Sequence, residues 1–119
     1  MGDFSKQYEK VREICLALPD TVETMTWGSP HFRVKDKIFA GFGGEGERPT
    51  VGVKLEKEDA SFLVASDPRI TRAPYVGKHG WITMDVGGRV SWRRVREYVE
   101  TSYRLIAPKR SVAKLDAGD

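Results

Sequence analysis

Apolar side chains near the start of the chain recur at alternating steps of four and three residues, from Phe4 to Leu18. This spacing places them along one face of an α-helix, which Pro19 ends. The same kind of pattern follows Ser91, a residue type suited to cap a helix start. Between these two helical patterns, a shorter stretch begins with acidic residues, which suit a helix N-terminus. The pattern predicts three helices, over residues 4–18, 57–65 and 91–107.

The stretch 24–42, reading TMTWGSPHFRVKDKIFAGF, is the densest run of β-formers, aromatics and turn residues. Runs of this kind, joined by Gly, Pro and Asp, are typical of an antiparallel sheet. The stretch predicts a short strand ending near Trp27, a turn over residues 28–30 and a hairpin about Lys35–Asp36. The length of the turn in this hairpin decides which side chains face the core.

Two registers are open for the hairpin. A two-residue turn pairs Val34 with Lys37 and Phe32 with Phe39, whereas a three-residue loop pairs Val34 with Ile38. A slip of one residue sends every side chain to the other face of the sheet. Lys-Asp is a poor type I′ pair, because both positions need a positive φ. The three-residue loop is therefore favoured, and its apolar face has five members: Phe32, Val34, Ile38, Ala40 and Phe42.

Further strands are predicted over residues 51–55 and 81–86, where apolar and polar positions alternate. The loop Gly43–Thr50 is rich in Gly, Pro and charge, and we expect it to be exposed and mobile. Residues 69–80 are predicted to be irregular, since Pro and Gly interrupt them. Residues 111–119 have little to bury, so we expect a loose tail after a single domain over residues 1–110.

Helices around a run of antiparallel strands predict an α+β fold, with one antiparallel sheet and all three helices packed on one face. A sheet covered on one side leaves its other face to solvent or to a partner. Cations interleaved with aromatics on such a face would suit single-stranded nucleic acid, by stacking and phosphate neutralisation. The bland alternative is that Trp81 lies under a neighbouring loop and that the cations are simply solvated.

Composition narrows the function without fixing it. The chain has 119 residues, with 39% hydrophobic and 31% charged side chains, a net charge of +3 and a pI of about 9.1. This mild basic bias permits an anionic partner. No apolar run is long enough for a membrane span or a signal peptide, so no membrane partner is expected. One cysteine fits a reducing compartment, and we expect a cytoplasmic monomer.

No constellation of residues supports catalysis or metal binding. One Cys and two His are too few for a zinc site, and the glycines at 41–46 lack the Lys-Ser or Lys-Thr of a phosphate loop. Cys15 lies on the apolar face of the first helix and is expected to be a buried hydrophobe. We therefore expect no metal, no cofactor and no enzymatic activity.

Three ordered blocks, WGSPHFRVKDKIFA at 27–40, APYVGKHGW at 73–81 and SYRLIAPKR at 102–110, resemble the MmcQ/YjbR family. The resemblance implies a CyaY-like (bacterial frataxin-like) fold, with helices on one side of an antiparallel sheet. The blocks match at eleven positions, most of them expected to make the fold: Trp27, Gly28, Pro30, Phe32, Lys37, Phe39, Pro74, Tyr75, Trp81, Ser102 and Tyr103. The APKR ending departs from the family pattern, and no acidic ridge for iron is present.

The resemblance also implies DNA binding through two wing-like loops. In this chain the wings would be Gly43–Thr50 and Ala73–Gly80, beside a basic sheet surface. The alternative is a small-molecule or protein-interaction module that uses the open sheet face around Trp81. The residues expected to contact nucleic acid are six basic side chains and one aromatic: Arg33, Lys35, Lys54, Arg72, Lys78, His79 and Trp81.

Overall fold

The computed structural model describes residues 4–43, 48–74 and 76–118. These residues contain four helices: α1 (Ser5–Leu16), α2 (Lys57–Ser66), α3 (Trp92–Ile106) and α4 (Lys109–Asp116). A 3₁₀ turn spans Gly77–His79. The same residues contain six strands: β1 (Thr21–Thr26), β2 (Ser29–Val34), β3 (Lys37–Gly43), β4 (Thr50–Lys54), β5 (Ile70–Arg72) and β6 (Trp81–Asp85).

The six strands form one sheet in the order β1-β2-β3-β4-β6-β5, and every neighbouring pair is antiparallel. Inward side chains of the strands join side chains of α1, α2 and α3 in a single core. The α+β class, the antiparallel sheet and the three predicted helices are therefore confirmed. The fully buried residues at the centre of the core include Val11, Phe32, Val53, Ile82, Val99 and Tyr103.

The β2–β3 hairpin contains both of the registers that the sequence left open. Next to the turn, Val34 pairs with Lys37, and Lys35 and Asp36 both adopt positive φ, as a two-residue turn requires. A β-bulge then shifts the register, so that Phe32 pairs with Ala40. The favoured three-residue loop was therefore wrong at the turn and right beyond the bulge. Because of the extra residue, Phe39 and its neighbour Ala40 are both fully buried.

Ser102 of α3 completes the sheet at this bulge. Its hydroxyl donates to the carbonyl of Phe39 at 2.6 Å and accepts from the backbone N–H of Lys54 at 2.9 Å. These two backbone groups lie on neighbouring strands, one residue beyond the pair Ala40–Val53. The serine therefore bridges two strands where their direct pairing stops, and it fixes α3 against the sheet.

The expected loose tail is wrong, because residues 109–116 form α4. Ser111 is fully buried and its hydroxyl donates to Asp20 at 2.7 Å, while Lys114 forms an ion pair with Asp20 at 2.9 Å. Val112 and Leu115 pack against the core. A short stretch with only two larger apolar positions, Val112 and Leu115, gives too weak a pattern to predict a helix. The contacts of α4 with Asp20 join residues that are more than 90 positions apart.

Two further expectations change. Part of the stretch predicted to be irregular forms the edge strand β5, which pairs with β6 from Ile70 to Arg72. The first turn lies at Trp27–Gly28 rather than at 28–30, since Thr26 pairs with Ser29. Trp27 is 97% exposed, so it does not fill space in the fold.

Cys15 is fully buried, as its place on the apolar face of α1 predicted. Burial raises the pKa of its thiol above the ordinary value. Among the described helices, none is long and apolar enough to cross a membrane.

Candidate nucleic-acid interface

Among the described residues, the middle row of the uncovered face of the sheet carries no Phe, Tyr or Trp side chain. The pairings of successive strands align one residue from each strand on this face: Thr24, His31, Gly41, Gly52, Thr83 and Thr71. The adjacent glycines leave a shallow trough of about 470 Å³, with His31, Thr83 and Arg72 among its walls. The expected mixture of cations with Phe, Tyr or Trp is therefore not found in the described residues at the centre of the face.

Five of the seven predicted site residues lie close together where β4 and β5 finish and β6 begins. Lys54 pairs with Trp81 across β4 and β6. Its ammonium group donates to the backbone carbonyl of His79. Arg72 ends β5, and Lys78 lies in the 3₁₀ turn that leads into β6. We call this region the basic end, defined by Lys54, Arg72, Lys78, His79 and Trp81.

The basic end contains a cavity of about 150 Å³. Arg72, Lys78 and the half-buried Trp81 line it, together with Lys57 at the start of α2. Its remaining walls are small or apolar: Ala60, Ser61, Val64, Gly77 and Ile82. Trp81 is thus partly covered by a neighbouring segment, as the bland alternative expected, although it borders a space with cations around it.

The other two predicted residues lie on β2 and in the turn that follows it. Lys35 is exposed in the β2–β3 turn, at the same end of the sheet as Lys54 but on the other side of β3. Arg33 is half-buried, and its guanidinium donates to Thr24 at 3.1 Å and to the carbonyl of Asp36 at 3.0 Å. These bonds hold β1, β2 and the turn together. Arg33 is therefore engaged in the fold, and neither residue is part of the basic end.

The two loops proposed as wings lie at opposite ends of the sheet. Gly43–Thr50 precedes the first residue of β4, whereas Ala73–Gly80 precedes Trp81, which pairs with the last residue of β4. Four residue steps of a strand separate these ends by about 13 Å. Residues 44–47 of the first loop and residue 75 of the second lie outside the described residues, so the expected mobility of the first loop stays a prediction.

At the end of the sheet beside the first loop, two arginines lie next to one carboxylate. Arg48 forms an ion pair with Asp85 at 2.7 Å, and Arg69 lies 3.9 Å from the same carboxylate. Burial alone would raise the pKa of Asp85, but hydrogen bonds from Arg48 and from the N–H of Gly87 lower it below the ordinary value. The cations at this end therefore already have an anionic partner.

Acidic residues near the basic end face a different groove. Glu56, Glu58 and Asp59 line a neighbouring groove together with Lys54 and Lys57. Lys57 lines both this groove and the cavity, whereas the three acidic residues do not line the cavity. In the part of the chain that the structure describes, no group of three or more His, Cys, Asp or Glu residues could hold a metal ion.

The sequence did not identify two polar residues that line the cavity at the basic end, Lys57 and Ser61. Both occupy exposed positions of α2, where polar residues are ordinarily just solvated. Their role becomes visible only when α2 packs beside β5 and β6. A cation at the first position of a helix, where the helix dipole disfavours it, was the one available indication.

The family model YjbR matches residues 16–105 of the chain. The fold is similar to the crystal structure of a Deinococcus radiodurans protein of the domain family DUF419, with a TM-score of 0.77 and 22% identity, covering 92% of this chain and 87% of that one. A Pseudomonas syringae protein is similar in its crystal structure, with a TM-score of 0.64 and 21% identity, covering 88% and 98% of the two chains. Its solution NMR structure gives a TM-score of 0.61 and 20% identity, covering 89% and 92%. No curated protein matches the chain.

Proposed function

Since the chain belongs to the YjbR family, we propose that it is a small DNA-binding protein that uses the basic end of its sheet. The observation that carries the proposal is the placement of Arg72, Lys78 and Trp81 around one cavity, with Lys54 adjacent to Trp81. Phosphate contacts of this kind position a protein on nucleic acid without specifying its sequence. The proposed site of action is the cytoplasm.

The proposed contact surface is smaller than the sequence predicted. Arg33 is engaged with threonines of β1, and Arg48 of the first loop is paired with Asp85. Lys35 lies on the other side of β3 from the basic end. The Lys and Arg residues of the basic end are the proposed phosphate contacts, namely Lys54, Arg72 and Lys78. The second loop and the sheet edge beside it would therefore bind DNA, and the first loop would not.

A salt titration tests this proposal. Three phosphate contacts on duplex DNA predict a slope of log K against log salt of about −3, by release of condensed counterions. Affinity should thus fall roughly forty-fold between 50 and 200 mM salt. Fluorescence anisotropy of a labelled duplex, recorded at four salt concentrations, measures the slope. Absence of binding at low salt and micromolar protein would reject the proposal.

Two matched variants locate the surface. Lys78→Ala should weaken binding to all sequences about equally and flatten the slope by about one unit, as expected for one lost phosphate contact. Lys6→Ala removes the same charge from an exposed position of α1, and it should leave both affinity and slope unchanged. Equal effects of the two variants would show that binding follows net charge rather than this surface.

A second candidate function is supported by the trough on the uncovered face. Its volume of about 470 Å³ lies within the range of small-molecule sites. Gly52 pairs directly with Gly41 and leaves its backbone open to a ligand, whereas the ring of His31 lies over Gly41. If the trough binds a small molecule, a ligand found by thermal shift should lose its effect in Gly52→Val, whose side chain would occupy the trough.

A further inference from the structure

The cavity at the basic end brings positive charges together without an anion among the described residues. Lys57, Arg72 and Lys78 all line it. Elsewhere, Arg12, Arg48, Arg69 and Arg104 form ion pairs with carboxylates, yet no such pair involves these three side chains in the described parts of the chain. Like charges around one small space repel each other, and a bound anion would relieve that repulsion.

The size of the cavity limits what the anion can be. A volume of about 150 Å³ is below the usual range of 300–1,000 Å³ for sites that hold a whole small molecule. One phosphate group fits such a space, whereas the base and sugar of a nucleotide would remain outside.

The chemistry of the walls matches a phosphate monoester. Such a group carries a charge of about −1.5 to −2 at pH 7 and presents three acceptor oxygens. Three cationic side chains can each donate to one of these oxygens. The hydroxyl of Ser61 also lines the cavity and has no hydrogen-bond partner among the described residues, so it can act as a further donor.

Trp81 indicates what would lie next to the phosphate. Its half-buried ring lines the same cavity, and base stacking on an aromatic ring is worth about 1–3 kcal/mol per base in other proteins. An internal phosphodiester continues in two directions, and α2 and the 77–78 segment wall the cavity on more than one side. A chain end needs only one way out.

We propose that the cavity lined by Lys57, Arg72 and Lys78 binds a terminal phosphate monoester, and that its source is the phosphorylated end of a DNA strand with its last base against Trp81. The choice of source rests on the proposed function. The terminal-phosphate chemistry rests on the cavity itself, and a free phosphate ester would satisfy it equally.

The test compares single-stranded 12-mers of one sequence that carry an internal fluorescent label and either a 5′-phosphate, a 3′-phosphate or no terminal phosphate. One phosphorylated form should bind at least ten-fold more tightly than the form without a terminal phosphate. In Lys57→Gln that ratio should fall to about one. Lys37→Gln, which removes an exposed charge of β3 outside the cavity, should keep the ratio. Circular dichroism of both variants confirms that they are folded.

A competition arm separates the two proposals. Inorganic phosphate and a nucleoside monophosphate are titrated into the protein and into Lys57→Gln by calorimetry. If all three oligonucleotides bind equally, the cavity proposal is overturned and DNA binding stands. If no oligonucleotide binds but the nucleoside monophosphate binds and Lys57→Gln abolishes it, the terminal-phosphate site is supported and its DNA source is overturned. Absence of binding in every arm overturns both.

Discussion

Trp27 occupies a position that suits neither its backbone nor its side chain. It has φ +56° and precedes Gly28 at φ +79° in the two-residue turn between β1 and β2. Such a turn favours Asn-Gly, because both central residues need positive φ. For other residues this conformation costs roughly 1–2 kcal/mol. With 97% of the residue exposed, packing does not offset that cost.

We therefore expect Trp27→Asn to raise the free energy of unfolding by about 1 kcal/mol, since Asn tolerates this conformation better. Urea denaturation followed by circular dichroism measures the change. Trp27→Ala serves as the control, because it removes the aromatic ring and keeps the backbone cost, so its stability should stay close to that of the parent protein. A loss of stability in Trp27→Asn would mean that the indole packs against part of the protein.

At the scale of the elements, the sequence predicted features that depend on local spacing better than features that depend on long-range pairing. The helical spacing from Phe4 to Leu18 depends on one turn of chain at a time, and α1 forms over Ser5–Leu16. The strand β5 has three residues and is held by pairing with β6 across the 73–80 segment. Its backbone hydrogen bonds leave no periodic pattern in so short a run, so the sequence could not reveal it.

The hairpin shows the same limit in its register. The sequence offered two turn lengths, and both contributed, because a bulge at Phe39 joins one register to the other. The bulge is stabilised by Ser102, which is 63 residues away along the chain. Local turn preferences cannot report a contact at that separation. They identified Lys35–Asp36 as a turn and could not identify what lay beyond it.

Because Ser102 stabilises the bulge, Ser102→Ala should strongly destabilise the protein. The change removes the hydroxyl that donates to the carbonyl of Phe39 and accepts from the N–H of Lys54 at this break in the ladder. Each buried backbone group left unpaired costs roughly 1–3 kcal/mol, so a loss of about 2–4 kcal/mol is expected.

Thr101→Ala is the matched control for that prediction. The hydroxyl of Thr101 bonds only within α3, to the carbonyl of Glu97, so its loss should change stability by less than about 0.5 kcal/mol. Thermal and urea unfolding of both variants give the comparison. Similar stabilities of Ser102→Ala and Thr101→Ala would show that water replaces the serine at the bulge.

At the scale of the whole molecule, the sequence predicted which residues belong to the basic end, but it did not predict how they are arranged around a cavity. The sequence predicted Lys54 and Trp81 as outward residues of the sheet, and Arg72, Lys78 and His79 as basic residues in or beside the second loop. Strand pairing brings these two groups together. The same strand order puts the other loop at the far end of the sheet. Which loops share an end depends on strand direction and pairing, and a one-dimensional pattern of residues does not contain that information.

Acid sensitivity should also be a property of the whole molecule, because three carboxylates join segments that are distant in the chain. Hydrogen bonds from Ser111 and Lys114 lower the pKa of Asp20, and hydrogen bonding to Arg104 lowers that of Asp116. The pKa of Asp85 is lowered as well, since hydrogen bonds from Arg48 and Gly87 outweigh its burial. These contacts connect α4 to the start of β1, α4 to α3, and β6 to the 48–49 segment.

A folded-state pKa below the unfolded value means that the unfolded chain binds protons more readily as pH falls. The stabilisation is therefore complete above the unfolded Asp pKa of about 3.9, and it is lost as pH drops through the lower folded values. We expect the urea midpoint to be nearly constant from pH 7 to 5 and to fall steeply below about pH 4. Asp85→Asn should be less stable than the parent protein at pH 7 and should lose less on acidification, so that the two stability curves converge at low pH. Parallel curves over the whole range would show that the Arg48–Asp85 contact does not form in solution.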